Sequence, residues 1–250
     1  MAVGGWHGPH GFNVGWCENF EFKKLMNDDL GVATGEQGTV LRYVRQSKLA
    51  DKVLAPLAPQ LSQERYVGYV DVNCIVDHNG TPWPLEFTMR PGWPTFNIQQ
   101  PLHEGDPVQW LLDLYNGRDA GIFTLNKICQ GVVLSIPDYP YSHLTRKEVV
   151  GVPIYGGVDD AHLCECKMGT APHKVGDGIV DIPCVVTAGD YVLVMTGSGD
   201  TVSAASKEVY KCLKAIHLPN SPMYRTDIGR RLKKQLPLLR SKGFARGMEY

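Results

Sequence analysis

Nowhere in the 250 residues is there a run of 18 or more apolar residues, so no helix built from this chain is expected to cross a bilayer. The first residues, Met1 to Gly8, lack a charged segment followed by an apolar core, which argues against a signal peptide. The formal net charge is only −1, so there is no electrostatic case for a nucleic-acid or membrane partner. Disulfide and zinc chemistry are also poorly supported. The seven cysteines are odd in number and scattered, and the one close pair, Cys164-Glu165-Cys166, has no second CxxC or His pair to complete a tetrahedral site. That usage suits reduced thiols and a cytoplasmic location. There is no Walker A loop, no GxSxG, no dinucleotide GxGxxG, no repeat and no low-complexity tract. What remains is an ordinary globular composition, 43% hydrophobic and 20% charged, long enough for one large domain or two small ones.

Periodicity gives a coarse outline. Residues 1–20 are rich in Gly and aromatics and read as strands with close backbone approaches, as though the chain starts partway through a sheet. Apolar surface there is expected to be exposed or covered by a second copy. Residues 39–61 read as helical, from Val40, Leu41, Val44, Leu49, Val53, Leu54 and Leu57 at three- and four-residue steps. Asp106-Pro107 is an N-cap followed by a first-turn proline, and Asn116-Gly117 ends that helix. Beyond a boundary at 116–127, strands are expected at 130–136, 149–155, 163–168, 178–186 and 191–196. One helix should follow over 201–217 and another from 226 or 227 towards 239. The expected class is α+β: a domain over 1–120 with an antiparallel sheet plus helices, then a smaller α+β domain over 127–245 with its own sheet.

The chemistry concentrates in residues 68–95. Asp77-His78-Asn79-Gly80 is a hairpin turn between two short extended segments. Glu86 and Thr88 share a face of the second segment, and Asn73 can lie opposite on the first. Three oxygen-bearing side chains followed by Arg90 suit a hard divalent cation that holds phosphate oxygens. Spacing alone equally allows a hairpin with a wetted outer face.

Resemblance separates these readings. Gly68-x-x-x-Val72-Asn73 with Leu85-Glu86-Phe87-Thr88-x-Arg90 resembles the metal-binding end of the ATP-grasp ligases. Asn27 to Gly38 resembles the Gly-Asp-x-Gly-Pro-Asn-Thr-Gly-Gly-Met-Gly loop of the glycinamide ribonucleotide synthetase (phosphoribosylamine–glycine ligase) family within that superfamily. Glu21-Phe22-Lys23-Lys24 resembles that family's Asp-His-Lys-Arg. Gly197 to Thr201, and then Ile216 to Gly229, resemble its closing signature. The resemblance runs in order over residues 15–230 and is to the C-terminal portion of the family.

It implies an ATP- and Mg²⁺-dependent (or Mn²⁺-dependent) carbon–nitrogen ligase of the purine-biosynthesis type. A glycine-like carboxylate would be activated as an acyl phosphate and attacked by a phosphoribosylamine-like amine. Glu86, Thr88 and Asn73 would hold metal, Arg90 and Glu86 would act in catalysis, and Lys23, Lys24, Thr34, Gly35 and Gly38 would contact substrate or phosphate. The sequence departs from the pattern in places. Thr88 replaces the family's Asn, Glu36 stands where Gly is expected, and Trp93 and Thr95 replace two carboxylates. Those changes leave open a ligase with a different amine or acid, or a non-catalytic binding protein that kept the fold. The family's N-terminal half has no counterpart here. Either the chain is an excised piece or it is an unusually short relative; the expected partner is a second copy in a homodimer or the missing N-terminal half, and the chain alone is expected to bind Mg-ATP poorly and ligate nothing.

Overall fold

In the computed structural model, residues 1–118, 122–141, 145–158, 161–219 and 222–250 are described. Part of the expected 116–127 boundary therefore lies outside the described residues. The strands are β1 (Ala2–Gly8), β2 (Gly11–Phe12), β3 (Trp16–Lys24), β4 (Ala33–Val44), β5 (Gly68–Val76), β6 (Pro82–Thr88), β7 (Ile128–Ser135), β8 (Ala161–Leu163), β9 (Cys166–Val175), β10 (Gly178–Thr187) and β11 (Tyr191–Gly199). The helices are α1 (Lys48–Val53), α2 (Ala58–Gln63), α3 (Thr95–Gln99), α4 (Pro107–Tyr115), α5 (Val202–Ala215) and α6 (Leu232–Ser241). Among the described residues no helix is long and apolar enough to cross a membrane.

Nine strands form one antiparallel sheet in the order β6-β5-β1-β3-β4-β7-β11-β8, with β2 on β1, while β9 and β10 pair as a separate hairpin. The strands expected in two sheets are thus joined, because β4 pairs with β7 from Gly38↔Val132 to Arg42↔Ile128. Alternation assigns the faces. Phe20, Phe22, Val40, Val132 and Leu134 pack under α5 and α6, and Val3, Val70, Val72 and Cys74 pack under α1 and α2. On the opposite face, Cys17, Leu41, Tyr43, Cys129 and Val133 meet Ile98 of α3, and Trp6 and Tyr69 meet Leu114 of α4. The polar end of that second face carries the candidate site.

Local chemistry explains several elements. The β5–β6 turn has Gly80 at φ 83°, and the Asp77 carboxylate accepts from the backbone N–H groups of Asn79 and Thr81 and from the Trp83 indole. Asp106 caps α4 by accepting from the N–H groups of Val108 and Gln109, and Thr201 caps α5 through Ala204. Other expectations are corrected. Residues 39–44, read as helix, lie in β4, where Thr39-Val40-Leu41-Arg42-Tyr43-Val44 is rich in β-branched and aromatic residues. Helix begins only after Ser47, whose hydroxyl caps α1. Residues 149–155 form no continuous strand, only isolated bridges of Pro153 to Val186 and Tyr155 to His217. The last helix starts at Leu232 rather than 226 or 227. The glycine-rich start is extended, as expected, but its apolar surface is covered within β1, while Val14 beyond it is 71% exposed. β1 runs between β3 and β5 with every residue buried, and Trp6 is 2% exposed beneath α4.

Candidate functional site

Register builds the site. Asn73 lies directly opposite Glu86, and Asp71 opposite Thr88, so these four side chains share one face of the β5–β6 pair. β1 ends at Ala2, opposite both Asn19 and Asn73, which leaves Glu21 of β3 able to reach across to β5. The Asn73 amide donates to both Glu21 carboxylate oxygens at 3.3 Å. The Lys23 ammonium sits 3.1 Å from Glu21 and 3.1 Å from Glu86. Burial works against the lysine's charge, but the two carboxylates more than offset it and raise its pKa.

The strands bring in acids that motif matching did not assign. Asp71 is 5% exposed and accepts from the Asn19 amide at 2.9 Å and the Tyr69 hydroxyl at 3.3 Å. Burial, and then the charge of Glu21, push its carboxyl up to about 7. Glu36, also 5% exposed, accepts from the hydroxyls of Thr39 and Thr95. Burial first, and Glu21 second, hold it well above the usual carboxylate range. The Asn19 and Gln99 side-chain oxygens are buried without a hydrogen-bond partner, so the interior beneath the face has a surplus of acceptors. Glu21 and Asp71 were within reach of the sequence, since each lies two residues from an assigned site residue on its own strand.

A pH prediction follows. Asp71 has a folded-state value above its unfolded 3.8, so it adds stability that is complete below about pH 4 and lost as pH rises through 7. The contribution is of order 4 kcal/mol at most. Asp71→Asn should therefore show a shallower fall in urea midpoint than the parent between about pH 5 and pH 8. Parallel pH profiles would count against this environment for Asp71.

The other assigned residues are less closely gathered. Residues 34–38, read as a glycine loop, belong to β4. Gly38 is required by packing, because a Cβ there would lie 2.5 Å from the Gly131 carbonyl oxygen of the neighbouring strand. Gly35 is exposed, with open space where a Cβ would stand. The Thr34 hydroxyl donates to the Lys23 carbonyl at 2.9 Å. Lys24 follows Lys23 on β3 and so takes the other face, and its carbonyl accepts from Arg225. The exposed Arg90 guanidinium donates to the Pro91 carbonyl rather than to the Glu86 group.

Two stretches singled out by sequence, far apart in the chain, meet on the opposite face, where Arg225 and Arg231 lie over the Phe22 ring. Arg225, with its side chain 1% exposed, donates to Asp227 from Nε and Nη2 at 2.8 and 2.9 Å, and to Asp29 at 2.9 Å. Arg230 pairs with Asp28, and Arg231 with Asp29 at 2.9 Å. Burial pushes the Asp227 carboxyl up, but Arg225 outweighs it and holds the value below the ordinary range.

Among the described residues no group of three His, Cys, Asp or Glu side chains is placed to hold a metal. That is no misfit for Mg²⁺, which usually takes one or two protein carboxylates and completes its shell with water and substrate phosphates. The donor set of Glu86, Glu21, Asn73 and Thr88 is all oxygen, and a lysine ammonium already bridges its two carboxylates as a stand-in cation.

No protein-family profile matches the chain. Curated relatives do. The phosphoribosylamine–glycine ligase of Salmonella typhimurium is 26% identical over 218 residues, covering 84% of this chain and 48% of that protein. That of Pseudomonas aeruginosa is 28% identical over 220 residues, with the same coverage. The chain thus spans about half the length of the curated relatives it matches. Among solved structures, the phosphoribosylamine–glycine ligase of Thermotoga maritima aligns with a TM-score of 0.68 at 21% identity, over 92% of this chain and 55% of that one. The biotin carboxylase subunit of pyruvate carboxylase aligns with a TM-score of 0.51 at 12% identity, over 99% and 51%. This chain is similar in sequence to the phosphoribosylamine–glycine ligases, and its fold is the ATP-grasp architecture.

Proposed function

We propose that this chain carries the catalytic face of an ATP- and Mg²⁺-dependent carbon–nitrogen ligase of the phosphoribosylamine–glycine ligase kind. The observation that carries the reading is the group Glu21, Lys23, Asn73 and Glu86, drawn from three strands onto one open face. In the proposed reaction the γ-phosphoryl of ATP passes to a glycine-like carboxylate, giving an acyl phosphate and ADP. A phosphoribosylamine-like amine then attacks the acyl carbon, phosphate leaves, and the amine gives up a proton. Magnesium, held through Glu86 with Asn73, Thr88 and Glu21 nearby, would neutralise phosphate charge. Lys23 sits where its ammonium can turn from the carboxylates to a phosphate oxygen, and its neighbours keep it protonated. Strands fix these groups before substrate arrives, so positioning and charge supply the rate enhancement with no covalent nucleophile.

A second reading, the same chemistry on a different amine, is favoured by Trp93, which stands where the resemblance expects a carboxylate and lines a cavity with Tyr139 and Tyr191. Phosphate release tests the class of reaction. The chain joined to the half of the cleft that the resemblance says it lacks, with Mg-ATP, a panel of carboxylates beginning with glycine, and a panel of amines, should release phosphate only when metal, acid and amine are all present, whereas the 250-residue chain alone should release little. Nucleotide binding with no release in any combination would make this a binding protein on a ligase fold.

A further inference from the structure

Glu36 stands where the resemblance expects glycine, and Thr95 stands where it expects a carboxylate. In the fold these two departures touch. The Thr95 hydroxyl donates to Glu36 Oε2 at 3.2 Å, and the Thr39 hydroxyl donates to Oε1. Glu36 is 5% exposed and Thr95 3%, so the contact is closed to water. After burial, the groups that act on the ionisation of Glu36 are Glu21, Thr95, Lys23 and Asp71, which places its carboxyl among the site residues.

The contact also ties α3 to the sheet. Thr95, its first residue, is held by Glu36 of β4. Gln99, its last, donates to the Tyr69 hydroxyl at 2.9 Å, and that hydroxyl donates to Asp71 of β5 at 3.3 Å. The turn leading into α3 is tight. The Phe96 N–H donates to the Gly92 carbonyl at 2.8 Å, and a Cβ on Gly92 would lie 2.9 Å from that of Thr95. A displacement of Thr95 therefore carries the Gly92–Trp93 turn with it.

A glutamate side chain can bring a carboxyl to this contact from either side. From β4 it meets a threonine at 95. From 95 it would enter the volume that a glycine at 36 leaves empty. Each arrangement buries one carboxyl. Glutamate on both sides would crowd two carboxyls, each opposing the other's ionisation. Glutamate on neither side would leave a cavity and strip two buried threonine hydroxyls of their acceptor.

We propose that Glu36 and Thr95 form a reciprocal exchange, in which the acid that the ligase pattern carries at residue 95 is supplied from β4 by Glu36 as a positioning residue of the site. The part played in the reaction rests on the ligase reading, whereas the exchange itself does not.

Urea midpoints of the 250-residue chain test the exchange. Glu36→Gly and Thr95→Glu should each lower the midpoint by about 1 M or more, and the two together should return it to within about 0.5 M of the parent. A double variant no more stable than the weaker single overturns the exchange. Turnover is read as Mg-ATP-dependent phosphate release in a complete enzyme that contains this chain. Glu36→Gly should lower it about a hundred-fold, and adding Thr95→Glu should restore it to within about ten-fold of the parent. Adding Thr95→Gln instead fills the same space without an acid, so it should restore the midpoint but not the turnover. Equal recovery of turnover with Thr95→Gln would show that packing suffices and overturns the role of the acid. A parent that releases no phosphate under any condition sinks the ligase reading and the role that rests on it, while the urea midpoints still decide the exchange.

Discussion

Replacing Arg225 with leucine is expected to destabilise the fold by about 3–5 kcal/mol. The guanidinium is buried, and three of its hydrogen bonds go to Asp227 and Asp29, with a fourth to the Lys24 carbonyl. Removing it leaves Asp227, which is only 6% exposed, without its main counter-charge. Such a loss greatly exceeds that of a surface pair, because water cannot replace the missing partner. The Arg225→Leu/Asp227→Leu double substitution should recover part of the loss, since it removes the stranded charge as well. Urea denaturation of the parent and both variants checks this. A single-variant change below about 1 kcal/mol would mean that the pair is better solvated than its burial implies.

In a complete enzyme that contains this chain, Glu86→Gln should lower turnover by orders of magnitude if the proposed ligase reading holds, and leave stability within ~0.5 kcal/mol. The separation follows from exposure. The Glu86 side chain is 59% exposed and its partner Lys23 44%, so their ion pair is screened and contributes little to folding. Its charge matters only when phosphate oxygens and a cation must be held together. Phosphate-release rates and urea midpoints on the same preparations give both readouts. Turnover equal to the parent would remove Glu86 from the mechanism, and a large loss of stability would assign it a structural role instead.

Sequence reading succeeded where the determinants are local. The Asp77–Gly80 turn, the Asp106 cap, and the pairing of Asn73 with Glu86 each depend on residues close in the chain. It failed where a segment satisfies two periods at once. Val40, Leu41 and Val44 fit a helical stripe, but pairing with β3 and β7 on either side makes them strand. A separate error hid Glu36: reading residues 34–38 as a loop gave its side chain no direction, whereas they belong to β4. Glu21 was missed differently. It was quoted within a motif, yet the lysines after it received the assignment, although strand alternation ties Glu21 to Lys23. The aromatic cavity was beyond reach, because Trp93, Tyr139 and Tyr191 meet only through tertiary packing across the sheet.

The pairing of β4 with β7 also sets a timetable. A ribosome adding about 5–20 residues per second needs roughly 4–17 s to travel from the end of β4 at Val44 to the start of β7 at Ile128. Throughout that interval β3 and β4 can already be hydrogen bonded, while the outer row of β4 amides and carbonyls has no native neighbour. Such an edge can pair with other chains. The nascent protein is therefore most vulnerable to aggregation after its first sheet strands have formed and before residue 128 emerges, and chaperone demand should peak in that window.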